Sequence, residues 1–265
     1  MSYLYISVIM LKVKLSLLIC LFTVASLLAI TAAQKRILVY TKNGTGYVHD
    51  NIKASVEALK KIGAENNLIV DVSDDPAVMT PGNLAKYNCL VFSNTNNETF
   101  ATDEQRNAFK DYIHNGGAFV GIHSACGSER QWPWFWSMLG GKFKRHPKYQ
   151  PFDLKIIDKN NPATEMLPDI WKWKDECYYL DNLNPDIHVL MVADIKTIED
   201  PQKAEYPGQV FGDYFPLAWY HIFEGARVFY TAIGHDIADY SDPLYVKHIT
   251  GGILWALGKE VKSKK

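Results

Sequence analysis

Gly116-Gly117-Ala118-Phe119-Val120-Gly121-Ile122-His123-Ser124-Ala125-Cys126 is the stretch whose reading decides the fold. The paired glycines end a helix, and the apolar run after them reads as a strand buried on both faces. Gly121-Ile122-His123 is then a turn that leads into another helix. A sharp strand-to-helix turn of this kind lifts one side chain above the carboxyl end of a parallel sheet. In enzymes built this way the lifted group is usually a nucleophilic Ser or Cys; here it is His123.

Upstream of this stretch the same alternation repeats. Residues 37–40, 68–72 and 88–93 are short, mostly apolar runs, each of strand length. A helix is expected from near Asp50, with Ile52, Val56, Leu59 and Ile62 on one face and Gly63 near its end. Thr102 and Gln105 stand at capping-box spacing before a second helix whose buried stripe is Phe109, Tyr112 and Ile113. Strand and helix in alternation predict a doubly wound parallel α/β sheet.

Downstream the pattern loosens. Residues 132–136 read as a short helix and residues 140–147 as a loop. Residues 152–158 and 187–192 read as strands of an added antiparallel section. Regularity returns with strands at 217–220 and 227–233, the latter ending in Gly234-His235-Asp236. Asp242-Pro243 opens a last helix with Val246, Ile249 and Ile253 inside. No repeat, low-complexity tract or linker interrupts residues 34–260, which read as one domain.

The composition is that of a globular chain, with 48% hydrophobic and 22% charged residues. A net charge of −1 gives no electrostatic case for a nucleic-acid or acidic-membrane partner. Seven Trp and fifteen Tyr suit stacking on sugar faces as well as an aromatic core. Residues 1–33 show the basic, apolar, small-residue order of a secretory signal, with Lys12 and Lys14, the apolar run 15–30, and Thr31-Ala32-Ala33. Cleavage after Ala33 and a secreted or periplasmic destination follow; the rival reading is an uncleaved anchor. Cys89, Cys126 and Cys177 then remain, an odd count without close spacing, so a Cys126–Cys177 bridge has no support in the sequence.

Ligands of an open parallel sheet bind beyond the carboxyl ends of its strands. His49, His123 and His235 each follow a strand and so belong at that edge, and His146 and Asp175-Glu176 come from the irregular middle, which could fold over it. Two chemistries stay open. Three imidazoles and a carboxylate suit a divalent metal, zinc above all. The same groups also suit general acid–base catalysis without one. No His-x-x-x-His spacing decides between them. The first loop offers only Gly44-Thr45-Gly46, so neither a nucleotide nor a flavin is expected.

At these residues the sequence resembles the trehalose-utilisation (ThuA-like) family. The resemblance rests on Gly46-Tyr47-Val48-His49-Asp50, Gly121-Ile122-His123-Ser124-Ala125, Gly140-Gly141-Lys142-Phe143 with His146-Pro147, and Asp175-Glu176-Cys177-Tyr178. Pro216-Leu217-Ala218-Trp219 and residues 227–236 complete it, in order, over essentially the whole chain after the leader. It implies a flavodoxin-like sheet of the class I glutamine amidotransferase type. Those enzymes carry Cys where His123 stands, so amidotransferase activity is expected to be absent, with Cys126 in the following helix no substitute.

The resemblance further implies uptake or breakdown of trehalose, related disaccharides and 3-keto sugars. The resulting expectation is a carbohydrate-processing protein of hydrolase or lyase type. His49, His123, His235 and Glu176 would surround the reacting centre, the three histidines serving as metal ligands if a metal is bound. His146, Trp219, Tyr47 and Asp236 would contact substrate. The alternative is a non-catalytic sugar-binding protein that presents residues 132–136 as an aromatic platform.

Overall fold

The structure, a computed structural model, describes residues 34–202 and 213–260, so the expected leader at 1–33 lies outside the described residues. All elements belong to the unit that begins at Lys35. The first half alternates as β1 (Arg36–Tyr40), α1 (Ile52–Glu65), β2 (Ile69–Ser73), a short α2 (Pro81–Leu84), β3 (Cys89–Ser93), α3 (Asp103–His114) and β4 (Ala118–Ile122). There follow α4 (Pro133–Leu139), β5 (Lys142–Arg145), β6 (Gln150–Ile156), β7 (Ile170–Asp175), β8 (Tyr179–Asp181) and β9 (His188–Asp194). The chain closes with β10 (Tyr214–Phe223), β11 (Ala226–Thr231) and α5 (Pro243–Ala256).

Nine strands form one sheet in the order β2-β1-β3-β4-β11-β10-β9-β6-β7. Pairing is parallel from β2 to β11 and antiparallel from there to β7. The doubly wound α/β class is therefore as expected, with the antiparallel section added at one side. β3 and β4 are buried along their whole length, because helices cover both faces. Phe119 of β4 meets Phe109 of α3 and Phe135 of α4 on one face. On the other, Gly252 of α5 lies so close to Phe229 of β11 that any side chain there would collide with the ring. The Thr102 capping box is present, and Asp242 caps α5 by accepting from the amides of Leu244 and Tyr245.

Several local expectations change. His123 opens a five-residue 3-10 turn, His123–Gly127, and not an α-helix. Residues 142–145, expected as loop, form β5, which pairs with β8 in a separate two-stranded sheet. In the aromatic segment 132–136, Phe135 is buried, and the half-buried Trp132 and Trp134 stack on one another and pack on Phe109. Cys89, Cys126 and Cys177 are free and buried, so no Cys126–Cys177 bridge exists. Among the described residues no helix is long and apolar enough to cross a membrane.

Candidate functional site

His123 leaves the end of β4 with φ of 50°, a left-handed conformation strained for a residue with a Cβ. The backbone is held there by Tyr230, whose hydroxyl donates to the His123 carbonyl at 2.8 Å. The imidazole is fully buried, and its Nδ1 lies 2.7 Å from the Ala232 carbonyl. A carbonyl only accepts, so Nδ1 carries the proton and Nε2 presents a lone pair. That lone pair faces His49 Nε2 at 3.1 Å and the Tyr178 hydroxyl at 2.9 Å. His49, reached from the loop after β1, has its other nitrogen 3.2 Å from Ser124 Oγ.

His235 follows β11 and Glu176 follows β7. One carboxylate oxygen of Glu176 lies 3.1 Å from His235 Nδ1 and the other 3.5 Å from His146 Nδ1. His235 Nδ1 is buried and makes no aligned hydrogen bond, so it is held near the carboxylate without being satisfied by it. One donor atom each from His49, His123, Glu176 and His235 falls within 4.8 Å of the others. Four strand ends thus deliver one cluster: His49, His123 and His235 stand at the edge where the sequence placed them, and Glu176, expected from an irregular segment, comes from the end of β7.

Asp175 builds the hinge of this arrangement. Its buried carboxylate accepts from the amides of Gly234 at 2.7 Å and Glu176 at 2.7 Å, and from Trp173 Nε1 at 3.0 Å. It thereby ties the turn before His235 to the segment that carries Glu176. Gly234 has φ of 121°, and a Cβ there would strike the Tyr245 hydroxyl, so this turn requires glycine. Asn51 completes the tie by donating to the carbonyls of Gly234 at 2.7 Å and His235 at 2.9 Å.

Burial sets the charges. It pushes the His49 pKa down to about 4, and with the neighbouring His49 it pushes His123 well below the ordinary value. Both imidazoles are neutral at neutral pH. Contact with Glu176 outweighs burial at His235 and raises its pKa. Burial would raise Glu176, but His235 and His146 hold it below the usual carboxylate range.

A cavity of about 290 Å³ opens beside the cluster. His49, Glu176, His146 and Tyr178 line it together with Tyr47, Asn96, Ser124, Gly127, Arg130 and Phe143. Tyr47 and His146 stand where substrate contacts were expected. Trp219 does not: it is fully buried in β10, donates from Nε1 to the Leu139 carbonyl at 2.9 Å and packs on Tyr230. Asp236 also serves structure, capping the 3-10 turn Ile237–Ser241 and accepting from the Tyr149 hydroxyl at 3.1 Å. Cys126 is no hidden nucleophile, since burial pushes its thiol up to about 12. Tyr178, Asn96, Arg130 and Phe143 are residues the sequence reading missed. Tyr178 and Phe143 carried a signal, each closing one of the motifs quoted above, whereas Asn96 and Arg130 carried none.

The sequence model of the family described as "Trehalose utilisation" (ThuA) matches residues 36–256. No curated protein matches the sequence. Among solved structures, a ThuA-like protein from Bacteroides uniformis superposes with a TM-score of 0.70 at 24% identity, over 86% of this chain and 94% of that one. A second ThuA-like protein, from Parabacteroides merdae, gives 0.66 at 20% identity, over 88% and 93%. An α-L-fucosidase from Paenibacillus thiaminolyticus shares the fold at a TM-score of 0.55 and 10% identity, with 84% of this chain matching 33% of that chain. With its family match running from β1 to the last residue of α5, the chain belongs to the trehalose-utilisation (ThuA) family, and with it to a carbohydrate-related role.

Proposed function

We propose that this protein processes a carbohydrate, a disaccharide, glycoside or 3-keto sugar, in the cavity beside His49, His123, His235 and Glu176, which together hold a divalent cation. The observation that carries the reading is the convergence of these four donors within 4.8 Å from four separate strand ends. The donor set fits zinc: neutral imidazoles and one carboxylate are its usual ligands. His123 has the supporting arrangement typical of a ligand, with the ring N–H on a backbone carbonyl and the lone pair of Nε2 turned toward His49 Nε2 and the Tyr178 hydroxyl. His235 Nδ1 stands 3.1 Å from a Glu176 carboxylate oxygen, which brings the third imidazole and the carboxylate to the same point.

Such an ion, when bound, polarises a sugar carbonyl or hydroxyl. The chain's own residues do the rest. Glu176 orients the cluster through His235, while His146 and the Tyr178 hydroxyl stand on the cavity wall as proton carriers. At about 290 Å³ the cavity is at the small end of ligand sites, which run roughly 300–1,000 Å³. It suits one sugar ring, with the remainder of a disaccharide passing the exposed Tyr47. The signal-like order of residues 12–33 supports action outside the cytoplasm.

Elemental analysis of tag-free protein beside His123→Asn and His235→Gln tests the cation. Asn tolerates the left-handed backbone at 123, so the fold should survive. Near-stoichiometric divalent metal, lost from both variants, is expected, together with turnover of a disaccharide or keto-glycoside that His123→Asn abolishes. Protein that stays metal-free after incubation with zinc would refute the cation site. Failure to bind any disaccharide or keto-glycoside would refute the carbohydrate reading.

A further inference from the structure

The chain has five arginines, and four of them face a carboxylate: Arg36 with Asp71, Arg106 with Asp103 and Glu129, Arg145 with Asp200, and Arg227 with Glu260. Arg130 is the exception among the described residues. It lines the cavity, and its partners are neutral: Nε donates to the Gly127 carbonyl at 3.0 Å and Nη2 to Asn96 Oδ1 at 3.1 Å. Phe143 lies against the guanidinium at 5.3 Å from ring centre to Cζ. These contacts fix the plane of the fork. They use two of its five N–H donors and neutralise none of its charge.

The anchoring is built into the backbone. A Cβ at Gly127 would fall 2.5 Å from Asn96 Oδ1 and 3.3 Å from Arg130 Nη2, so glycine is what lets Asn96 and Arg130 meet beneath the turn after His123. Asn96 is itself fixed by donating to the Tyr47 carbonyl at 3.1 Å. A half-buried cation held rigid on neutral partners, at the wall of a ligand cavity, is a site for an anion.

We infer that Arg130 binds a carboxylate carried by the sugar, so that the substrate is a sugar acid, such as a uronic or aldonic acid or its glycoside. The inference rests on the carbohydrate reading above and narrows it. A planar carboxylate matches the fork with two parallel hydrogen bonds and brings one negative charge for one positive. A phosphate dianion fits less well. No lysine lines the cavity, and Glu176 contributes a negative charge to it.

Calorimetry with glucuronic acid, glucose and glucose 6-phosphate on wild type, Arg130→Gln and Arg130→Lys tests this. Wild type should bind the uronate about 10- to 100-fold more tightly than glucose, as loss of a charged hydrogen-bonded pair implies. Arg130→Gln should erase that preference, bringing the uronate affinity down to that for glucose, and Arg130→Lys should keep part of it. A purely structural Arg130 would lower the melting temperature and leave the ratio of affinities intact. Equal affinity for uronate and glucose in wild type, or tighter binding of the phosphate, overturns the inference and leaves the carbohydrate reading standing. Binding of none of the three overturns the inference; disaccharide and keto-glycoside binding then decides the wider reading separately.

Discussion

His248 shows what a buried histidine looks like when it serves the fold alone. Its Nδ1 donates to the Ala163 carbonyl at 2.8 Å and its Nε2 lies 3.0 Å from Thr231 Oγ1, so both nitrogens are satisfied. Burial pushes its pKa down to about 4. In the unfolded chain it titrates near 6.5, so between about pH 4 and 6.5 the unfolded state binds a proton that the folded state refuses. Stability from this group is therefore complete above pH 6.5 and declines as pH falls towards 4. Urea unfolding at pH 7 and pH 5 should show wild type losing about 2 kcal/mol more than His248→Gln over that interval. Equal losses would show that the imidazole does not stay neutral. His123 and His49 share this burial, but their Nε2 atoms face one another, and that contrast separates site from scaffold. The sequence could not draw it, because residue type is the same in both cases. Strand-end position did single out His49, His123 and His235, whereas Trp219 occupies the middle of a strand and points into the core. Arg130 and Asn96 were invisible for a related reason: their role depends on Gly127 and on a long-range contact, neither of which leaves a periodic trace.

At the level of elements, the parallel half was legible because each strand and helix there satisfies its own local rules. α3 is the clearest case. Thr102 accepts from the Gln105 amide, Gln105 answers by accepting from the Thr102 amide, and Phe109 and Ile113 are fully buried. Thr102→Ala should cost about 1 kcal/mol, read as a shift of the denaturation midpoint at unchanged slope. No change would mean that Asp103 or solvent takes over the cap. β7 obeys an equally simple rule, alternating exposed and buried from Ile170 to Asp175, yet it escaped the reading. Trp171 and Trp173 point inward and Lys172 and Lys174 outward, but the exposed Ile170 and the buried Asp175 invert the alternation at both ends of a strand only six residues long. β5 and β8 are four and three residues long and hold together only by pairing across some 35 positions of sequence. Local pattern carries no information about such a pair.

For the molecule as a whole, the informative fact is that β7, at the far edge of the sheet from β2, reaches the strand ends of the parallel half. Trp173 stacks on Tyr245 and Trp171 meets His248, both on α5, so the antiparallel half curls back over that helix. The end of β7 thereby arrives beside the turn after β11, where Asp175 binds the Gly234 amide. The cluster then joins segments that follow β1, β4, β7 and β11, spread over nearly 190 positions of sequence. A cation bound by all four would exist only in the folded state, so its binding energy adds to folding energy. At a free zinc concentration a hundredfold above Kd the gain is about 2.7 kcal/mol, which for a domain of this size raises Tm by roughly 5–10 °C. Thermal unfolding of chelator-treated protein, with and without added zinc, should show that rise. His123→Asn should not respond, because one of the four corners is gone while the fold remains. A wild-type Tm indifferent to zinc would mean that the four donors meet for proton chemistry alone, with His235 and Glu176 as the charged pair and the buried imidazoles of His49 and His123 as its neutral neighbours.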